Sequence, residues 1–85
     1  MVKLKIKIIA KDGIAYEGEA EAIFVPTQTG IVEILPNHIQ LVSVISHGYL
    51  IVKIKEGDKK FKVSSGVLEV RQNSNVTILV DSIIE

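Results

Sequence analysis

The chain has 85 residues, no cysteine and a formal net charge of zero. Without cysteine it can form neither a disulfide framework nor a thiolate metal site, and its charge balance argues against nucleic acid as the main partner. A domain of this length removes only about 60–65% of its unfolded surface from water, yet 47% of its residues are hydrophobic. We therefore expect some apolar surface to be left for another chain.

The apolar residues favour β-structure, because 14 Ile and 11 Val outnumber 6 Leu and 4 Ala and β-branched side chains suit a pleated sheet. The first run, Val2 to Ile8, alternates lysine with apolar residues and predicts a half-buried strand. Lys11-Asp12-Gly13 predicts a turn. Tyr16 to Ala22 alternates outward glutamates with small inward residues, and Ile23 to Val25 leads to Pro26, which should end the strand or place it at an edge.

The middle of the chain contains two short apolar runs. Thr27 to Gly30 predicts a turn, and Ile31 to Leu35 predicts a strand that Pro36 stops. Leu41 to Ile45 is short and rich in β-branched residues, which favours a strand over a helix. Because this strand is apolar on both faces, we expect each face to be covered.

The last third of the chain predicts two hairpins. Glu56-Gly57-Asp58 lies between two alternating runs, and Gln72 to Asn75 lies between Val67–Arg71 and Val76–Val80. Short strands with turns at this spacing are typical of a β-sandwich or barrel. We expect residues 1–85 to form a single domain.

The search for catalytic residues identifies no candidate. His38 and His47 are the only histidines, and without cysteine they make a poor zinc site. Glu17, Glu19 and Glu21 share one strand face, which is more typical of a solvated surface than of a catalytic carboxylate pair. The glycines form no phosphate-binding motif. We predict no catalytic, cofactor-binding or metal-ligating residues, and a binding or structural domain rather than an enzyme.

Two further features concern location and charge. The amino terminus lacks the form of a signal peptide, and no window reaches the roughly 20 apolar residues that span a bilayer. Lysines concentrate in residues 1–11 and 53–62, whereas residues 12–52 carry five acids and no Lys or Arg. These runs indicate either solvated strand faces or a dipolar surface that orients docking.

Several pieces of the chain, in this order and spacing, are characteristic. The most specific are Ile34-Leu35-Pro36-Asn37-His38 and the closing run from Asn75 to Asp81. The others are Asp12-Gly13, Tyr16-Glu17-Gly18-Glu19, Val25-Pro26, Gly30, Leu41, Gly48, Val63-Ser64, Gly66 and Leu68-Glu69-Val70. Together they resemble the amino-terminal domain of the epsilon subunit of F-type ATP synthases, over nearly the whole chain.

The resemblance implies a ten-stranded β-sandwich, or flattened barrel, of two antiparallel sheets. It also implies a non-catalytic rotor subunit of a proton-translocating ATP synthase, which links the gamma subunit to the membrane c-ring as ion flow is coupled to ATP synthesis. The implied location is peripheral, at the cytoplasmic face of the bacterial inner membrane, with no cofactor and no nucleic acid.

The resemblance also assigns contact residues. The c-ring contact falls on the segment that contains Gln28, Thr29, Gly30, Ile31 and Glu33. The gamma contact falls on His38, Leu41, Val42, Leu79 and Asp81.

The chain departs from the family pattern at three places. Ile31-Val32-Glu33 stands where members usually carry Glu-Phe-Gly or similar, Gln40 where proline is frequent, and Ser65 where glycine is frequent. The family commonly adds two carboxy-terminal helices, which house an inhibitory movement and, in some members, nucleotide binding. The resemblance ends at Glu85, so we expect neither property within these residues.

An alternative from another class is a free-standing β-sandwich that binds a small ligand or lipid between its sheets. A cavity in the core would favour this alternative, whereas an exposed apolar flank would favour the rotor subunit.

Overall fold

The computed structural model describes residues 3–84, and nearly all of them lie in strands or tight turns. The nine strands are β1 (Leu4–Ala10), β2 (Gly13–Ala20), β3 (Ala22–Thr27), β4 (Gly30–Ile34), β5 (Leu41–Ile45), β6 (Gly48–Ile54), β7 (Gly57–Val63), β8 (Gly66–Arg71) and β9 (Asn75–Val80). A 3-10 turn, Gln72–Ser74, joins the last two strands. The prediction of an all-β fold with hairpins at Gly57 and Gln72 is confirmed. Within residues 3–84 no helix is long and apolar enough to cross a membrane.

The strands form one hydrogen-bonded sheet in the order β2-β1-β9-β8-β5-β3-β6-β7, with β4 on the other side of β3. The sheet curls into two layers at β3, whose first half pairs with β6 and whose last residue, Thr27, pairs with β5. The two ends of the sheet then meet, since the rings of Tyr16 on β2 and Phe61 on β7 lie 6.1 Å apart. We call β2, β1, β9, β8 and β5 the first layer, and β4, β3, β6 and β7 the second layer.

This topology differs in two ways from the ten strands in two antiparallel sheets that the resemblance implied. The described residues hold nine strands, and one pair, β1 with β9, is parallel. The segment that follows β9 pairs with the edge of β7 through a single bridge, Val63 with Ile83, which is too short to count as a tenth strand. All other paired strands are antiparallel.

The sequence predicted that Pro26 ends its strand or places it at an edge. The structure shows neither. Pro26 lies buried inside β3, between Phe24, the last residue that pairs with β6, and Thr27, the residue that pairs with β5. The missing N–H therefore falls in the gap between two ladders, where it interrupts neither, and the Pro26 carbonyl oxygen accepts a hydrogen bond from Ser46 N–H at 2.9 Å.

The core fills the space between the two layers. On β1 the alternation works as predicted, with Leu4, Ile6 and Ile8 buried and Lys5 exposed. Side chains from every strand contribute to the buried cluster or pack against it. The sixteen buried members are Leu4, Ile6, Ile8, Ala20, Ile23, Val25, Ile34, Ile45, Leu50, Val52, Val63, Leu68, Val70, Val76, Ile78 and Val80.

The segment after β9 is held against β7 by a pair of serines. Ser82 N–H donates to Ser64 Oγ at 3.0 Å, and Ser64 N–H donates to the Ser82 carbonyl oxygen at 3.1 Å. Ile84 N–H then donates to the Lys62 carbonyl oxygen at 2.7 Å. These bonds close the β7 edge next to Val63, so part of an otherwise open strand edge is covered.

Gly66 begins β8 at the closest approach of two strands. A Cβ built on this residue would overlap the Leu79 carbonyl oxygen and lie 2.8 Å from Val80 Cα, both of them backbone atoms that cannot swing aside. The sequence predicts only a kink at Ser64-Ser65-Gly66. The structure shows that glycine is required there for space.

We expect Gly66→Ala to lower the free energy of unfolding by on the order of 2 kcal/mol, because β8 and β9 must separate to admit the methyl group. Gly18→Ala is the matched control, since a Cβ at that position meets only the movable Tyr16 side chain, 3.2 Å from its hydroxyl oxygen. Urea unfolding followed by circular dichroism measures both variants. Equal losses in the two variants would show that the close approach does not require glycine.

Candidate functional site: an apolar docking face

The outer surface of the first layer carries a row of apolar side chains that crosses all five strands. We call this set the apolar row. Register places its members side by side, each opposite the next, on neighbouring strands: Val44, Val67, Leu79, Ile9 and Ile14. At about 4.8 Å between strands, the row is roughly 19 Å long.

Four side chains of the apolar row are open to solvent, and Ile9 is half-buried. Ile14 is 57% exposed, Leu79 50%, Val44 48% and Val67 42%. Val42 is 70% exposed on the same face, one outward position along β5. Single exposed apolar residues are common, but a contiguous row on a small protein is typical of a contact surface.

Apart from Val42, the rest of this face is mostly polar, and its charges pair with one another. Three cations and three carboxylates occupy the next two outward positions along the strands, and Lys7 Nζ lies 3.7 Å from Glu17 Oε2 on the neighbouring strand. Arg71 Nε donates to Glu69 Oε2 at 3.2 Å, and Lys5 lies opposite Glu19. These pairs are solvent-exposed and contribute little stability. The charged groups of this face therefore have partners within the chain, whereas the apolar row remains exposed.

The residues predicted to contact gamma fall into four positions, with His38 in a loop. Val42 and Leu79 lie on the same outer face, on β5 and β9, which β8 separates. Leu41 instead points to the interior side of β5, opposite Val70, where it packs against the core. Asp81 is exposed just beyond β9, and its N–H donates to the Ser65 carbonyl oxygen at 3.0 Å.

His38 lies at the other end of this face, in a loop fixed by its neighbours. Asn37 adopts a left-handed backbone conformation, with φ of 67°, and its N–H donates to Ser74 Oγ at 2.9 Å. His38 Nδ1 lies 2.8 Å from the Ile39 carbonyl oxygen. Because a carbonyl oxygen only accepts, Nδ1 must carry the hydrogen, which leaves Nε2 free at the surface.

The residues predicted to contact the c-ring form the turn between β3 and β4 and the strand that follows. Thr27 Oγ1 donates to the Gly30 carbonyl oxygen at 2.6 Å and accepts from Thr29 N–H at 3.3 Å, which shapes the two-residue turn of Gln28 and Thr29. Ile31 is 76% exposed and Glu33 is also exposed. Gln28 and Thr29 also line a groove with the β5 end of the apolar row, so the two predicted contact sets adjoin.

Sequence reasoning missed four members of the apolar row as site residues. Ile9 and Ile14 come from the first hairpin, Val44 from β5 and Val67 from β8, and none stands out among so many aliphatic residues. The one local signal is at Ile9, which takes the outward position that follows Lys3, Lys5 and Lys7 in the alternation. Only the register between strands shows that these residues form one row.

The arrangement is an exposed apolar surface beside charged pairs. Among residues 3–84, no three His, Cys, Asp or Glu side chains converge to hold a metal ion. No buried side-chain nitrogen or oxygen in that part of the chain lacks a hydrogen-bond partner. The fold and the apolar row together define a β-sandwich domain with an exposed apolar face.

Comparison with known proteins gives the family. The family model for the β-sandwich domain of the ATP synthase delta/epsilon chain matches residues 3–85. The chain belongs to this family, and the resemblance found in its sequence motifs is confirmed.

The relatives match nearly the whole chain. The ATP synthase epsilon chain of Leptospira interrogans is 38% identical over 79 residues, which cover 93% of this chain and 61% of that protein. The epsilon chain of Endomicrobium trichonymphae is 32% identical, over 95% of this chain and 58% of that protein. The chain therefore spans about three fifths of the length of these curated relatives.

Two solved structures share the fold at low sequence identity. A chain in the mitochondrial ATP synthase of Euglena gracilis superposes with a TM-score of 0.91 at 20% identity, over 99% of this chain and 54% of that one. A chain of the Tetrahymena thermophila mitochondrial enzyme gives a TM-score of 0.81 at 16% identity, over 98% of this chain and 66% of that one. The curled sheet is therefore the family fold.

We expect Val42→Asp to change the free energy of unfolding by less than about 1 kcal/mol, because the side chain is already in water. Ile45→Asp, three residues along the same strand, should cost about 4 kcal/mol or more, because it places a carboxylate at a fully buried position. Thermal and urea unfolding of the two variants measures the difference. A large loss in Val42→Asp would mean that the outer face of β5 is covered within this chain.

Proposed function

We propose that this chain is the β-sandwich part of a central-stalk subunit in a proton-translocating F-type ATP synthase, where it joins the gamma subunit to the c-ring. The observation that carries the proposal is the apolar row, which a stable partner should cover. Residues 1–85 act as a single domain that performs no bond chemistry. Its site of action is peripheral, at the cytoplasmic face of a bacterial inner membrane.

The named assemblies of its relatives support these partners. The curated relatives are epsilon chains of ATP synthases. The two structural neighbours come from assemblies described as OSCP/F1/c-ring and central stalk/c-ring. A subunit in such an assembly needs a surface for the stalk and a surface for the ring, and the chain offers two adjoining surfaces of different chemistry.

The apolar row is the surface we assign to gamma. Covering a half-exposed Val, Ile or Leu side chain contributes on the order of 1 kcal/mol, so five members supply roughly 5 kcal/mol. Association itself costs an estimated 4–15 kcal/mol in lost translation and rotation. The row therefore anchors the chain but does not hold it alone, and neighbouring contacts through Val42 and the His38 loop must add to it.

The β3–β4 turn is the surface we assign to the c-ring. It is polar at its tip, with Gln28 and Thr29, and is braced by the two Thr27 hydrogen bonds. Ile31 and Glu33 follow on the outer surface of the second layer. Once one surface is bound to gamma, the other is held close to the ring at a high effective concentration. The overall attachment is then stronger than either contact by itself.

The alternative, a ligand or lipid bound between the sheets, would have to compete with the core that residues 3–84 form. Sixteen buried side chains occupy the interior, and most of them are fully buried. A ligand there would have to displace well-packed core residues, which are costly to disturb. The grooves that line the described surface open outward.

We expect Leu79→Asp to weaken binding of this chain to an ATP synthase gamma subunit by about 100-fold, because the interface would have to bury an unpaired carboxylate. Tyr49→Asp is the matched control, since Tyr49 is 54% exposed on the second layer, and it should bind as the unaltered chain does. Isothermal titration calorimetry measures each affinity. A gamma subunit that does not bind the unaltered chain at micromolar concentration would refute the assignment.

We expect Ile31→Ser to reduce capture of a purified c-ring by the complex of this chain with gamma by about tenfold, while leaving gamma binding unchanged. Tyr49→Ser is the control, because Tyr49 is also exposed, at 54%, but lies on β6, outside both assigned surfaces. Surface plasmon resonance on immobilised c-ring gives the ratio. If both variants lose capture equally, the ring contact is not specific to the turn and β4.

A further inference from the structure

The groove beside the β3–β4 turn has one apolar wall and one polar wall. Val42, Val44 and Val67 form the first wall, and Gln28 and Thr29 form the second, with Ser43 at the bottom. The groove encloses about 340 Å³, at the lower limit of small-molecule sites. That space suits a single large side chain of a partner.

The lining excludes a charged occupant. None of the six residues is ionisable, so a charged group would lose its hydration without gaining an opposite charge. An aromatic ring suits the apolar wall, since its flat face can cover three valines at once. The polar wall then requires that the tip of the ring carries a polar group.

The hydrogen bonds of the turn determine whether that polar group must donate or accept a hydrogen bond. A threonine hydroxyl has one hydrogen, and Thr27 Oγ1 gives its hydrogen to the Gly30 carbonyl oxygen at 2.6 Å. The contact of 3.2 Å between Thr27 Oγ1 and Thr29 Oγ1 must therefore have Thr29 as the donor. The Thr29 hydroxyl is left with acceptor capacity only, so it favours a donor on the occupant.

We propose that this groove is the anchor site for a tyrosine side chain of the partner that docks on the apolar row, with the phenol hydroxyl donating to Thr29 Oγ1. The inference rests on the proposed docking function and adds to it the identity of the central side chain. Aromatic residues that fill such grooves commonly dominate the energetics of an interface. The groove also lies where the two assigned surfaces meet, so one anchor would fix both.

The test uses 4-methylphenol as a probe of the tyrosine tip and 4-methylanisole, which lacks the donor hydrogen, as its matched control. Two-dimensional NMR spectra of the chain should show 4-methylphenol shifting the Val44 and Val67 methyl signals and the Thr29 amide signal. 4-Methylanisole should bind about fivefold more weakly, as expected for one lost hydrogen bond. In Thr29→Val the two probes should bind alike.

Three outcomes would overturn the anchor site: no shifts at millimolar 4-methylphenol, shifts spread over both layers, or a donor preference that survives Thr29→Val. A parallel titration with a gamma subunit separates this inference from the proposed function. If gamma binds and Leu79→Asp prevents binding while the probe gives no groove shifts, the docking function stands and the anchor site is wrong. If gamma does not bind but the probe shows the predicted preference, the groove takes a tyrosine from a different partner, and the gamma assignment is wrong.

Discussion

The structure depends on the two-residue alternation of its strands, which sends one side chain inward and the next outward. An 85-residue sheet has only one interior, so each strand can hide only one of its faces. Where the outward positions are lysine or glutamate, as on β1 and β2, water satisfies them. Where they are Val, Leu or Ile, the surface stays apolar. The apolar row follows from this constraint, because the sequence has more aliphatic side chains than one interior can bury.

Much of the fold can be read from local sequence. The runs around Gly57 and Gln72 carry turn residues between alternating segments, and both hairpins form there. The strand at Leu41 to Ile45 is recognisable from β-branching and length, but its outward valines, which we expected to be covered, are exposed in this chain. The interior position of Pro26 could not be read, because it depends on β3 changing partner between Phe24 and Thr27. The parallel pairing of β1 with β9 also has no local signal.

The site was only partly predictable, because it too depends on how strands from distant parts of the chain pair. Val42 and Leu79 came from a family resemblance, and the structure places them on one face. Leu41 came from the same resemblance, but alternation turns its side chain toward the core. Ile9, Ile14 and Val67 belong with Val42 and Leu79 only because register aligns five strands from distant parts of the chain. A single strand read by itself cannot reveal a row that runs perpendicular to it.

The placement of β1 between β2 and β9 has a consequence for how the chain folds. The first strand obtains its second neighbour only when Asn75–Val80, some seventy residues later, is available to lie beside it. Such a high contact order makes folding slow. During synthesis one edge of β1, whose inward side chains are Leu4, Ile6 and Ile8, stays unpaired until nearly all of these residues have left the ribosome. The lysines that alternate with them then keep the unfinished strand soluble and discourage pairing with other nascent chains.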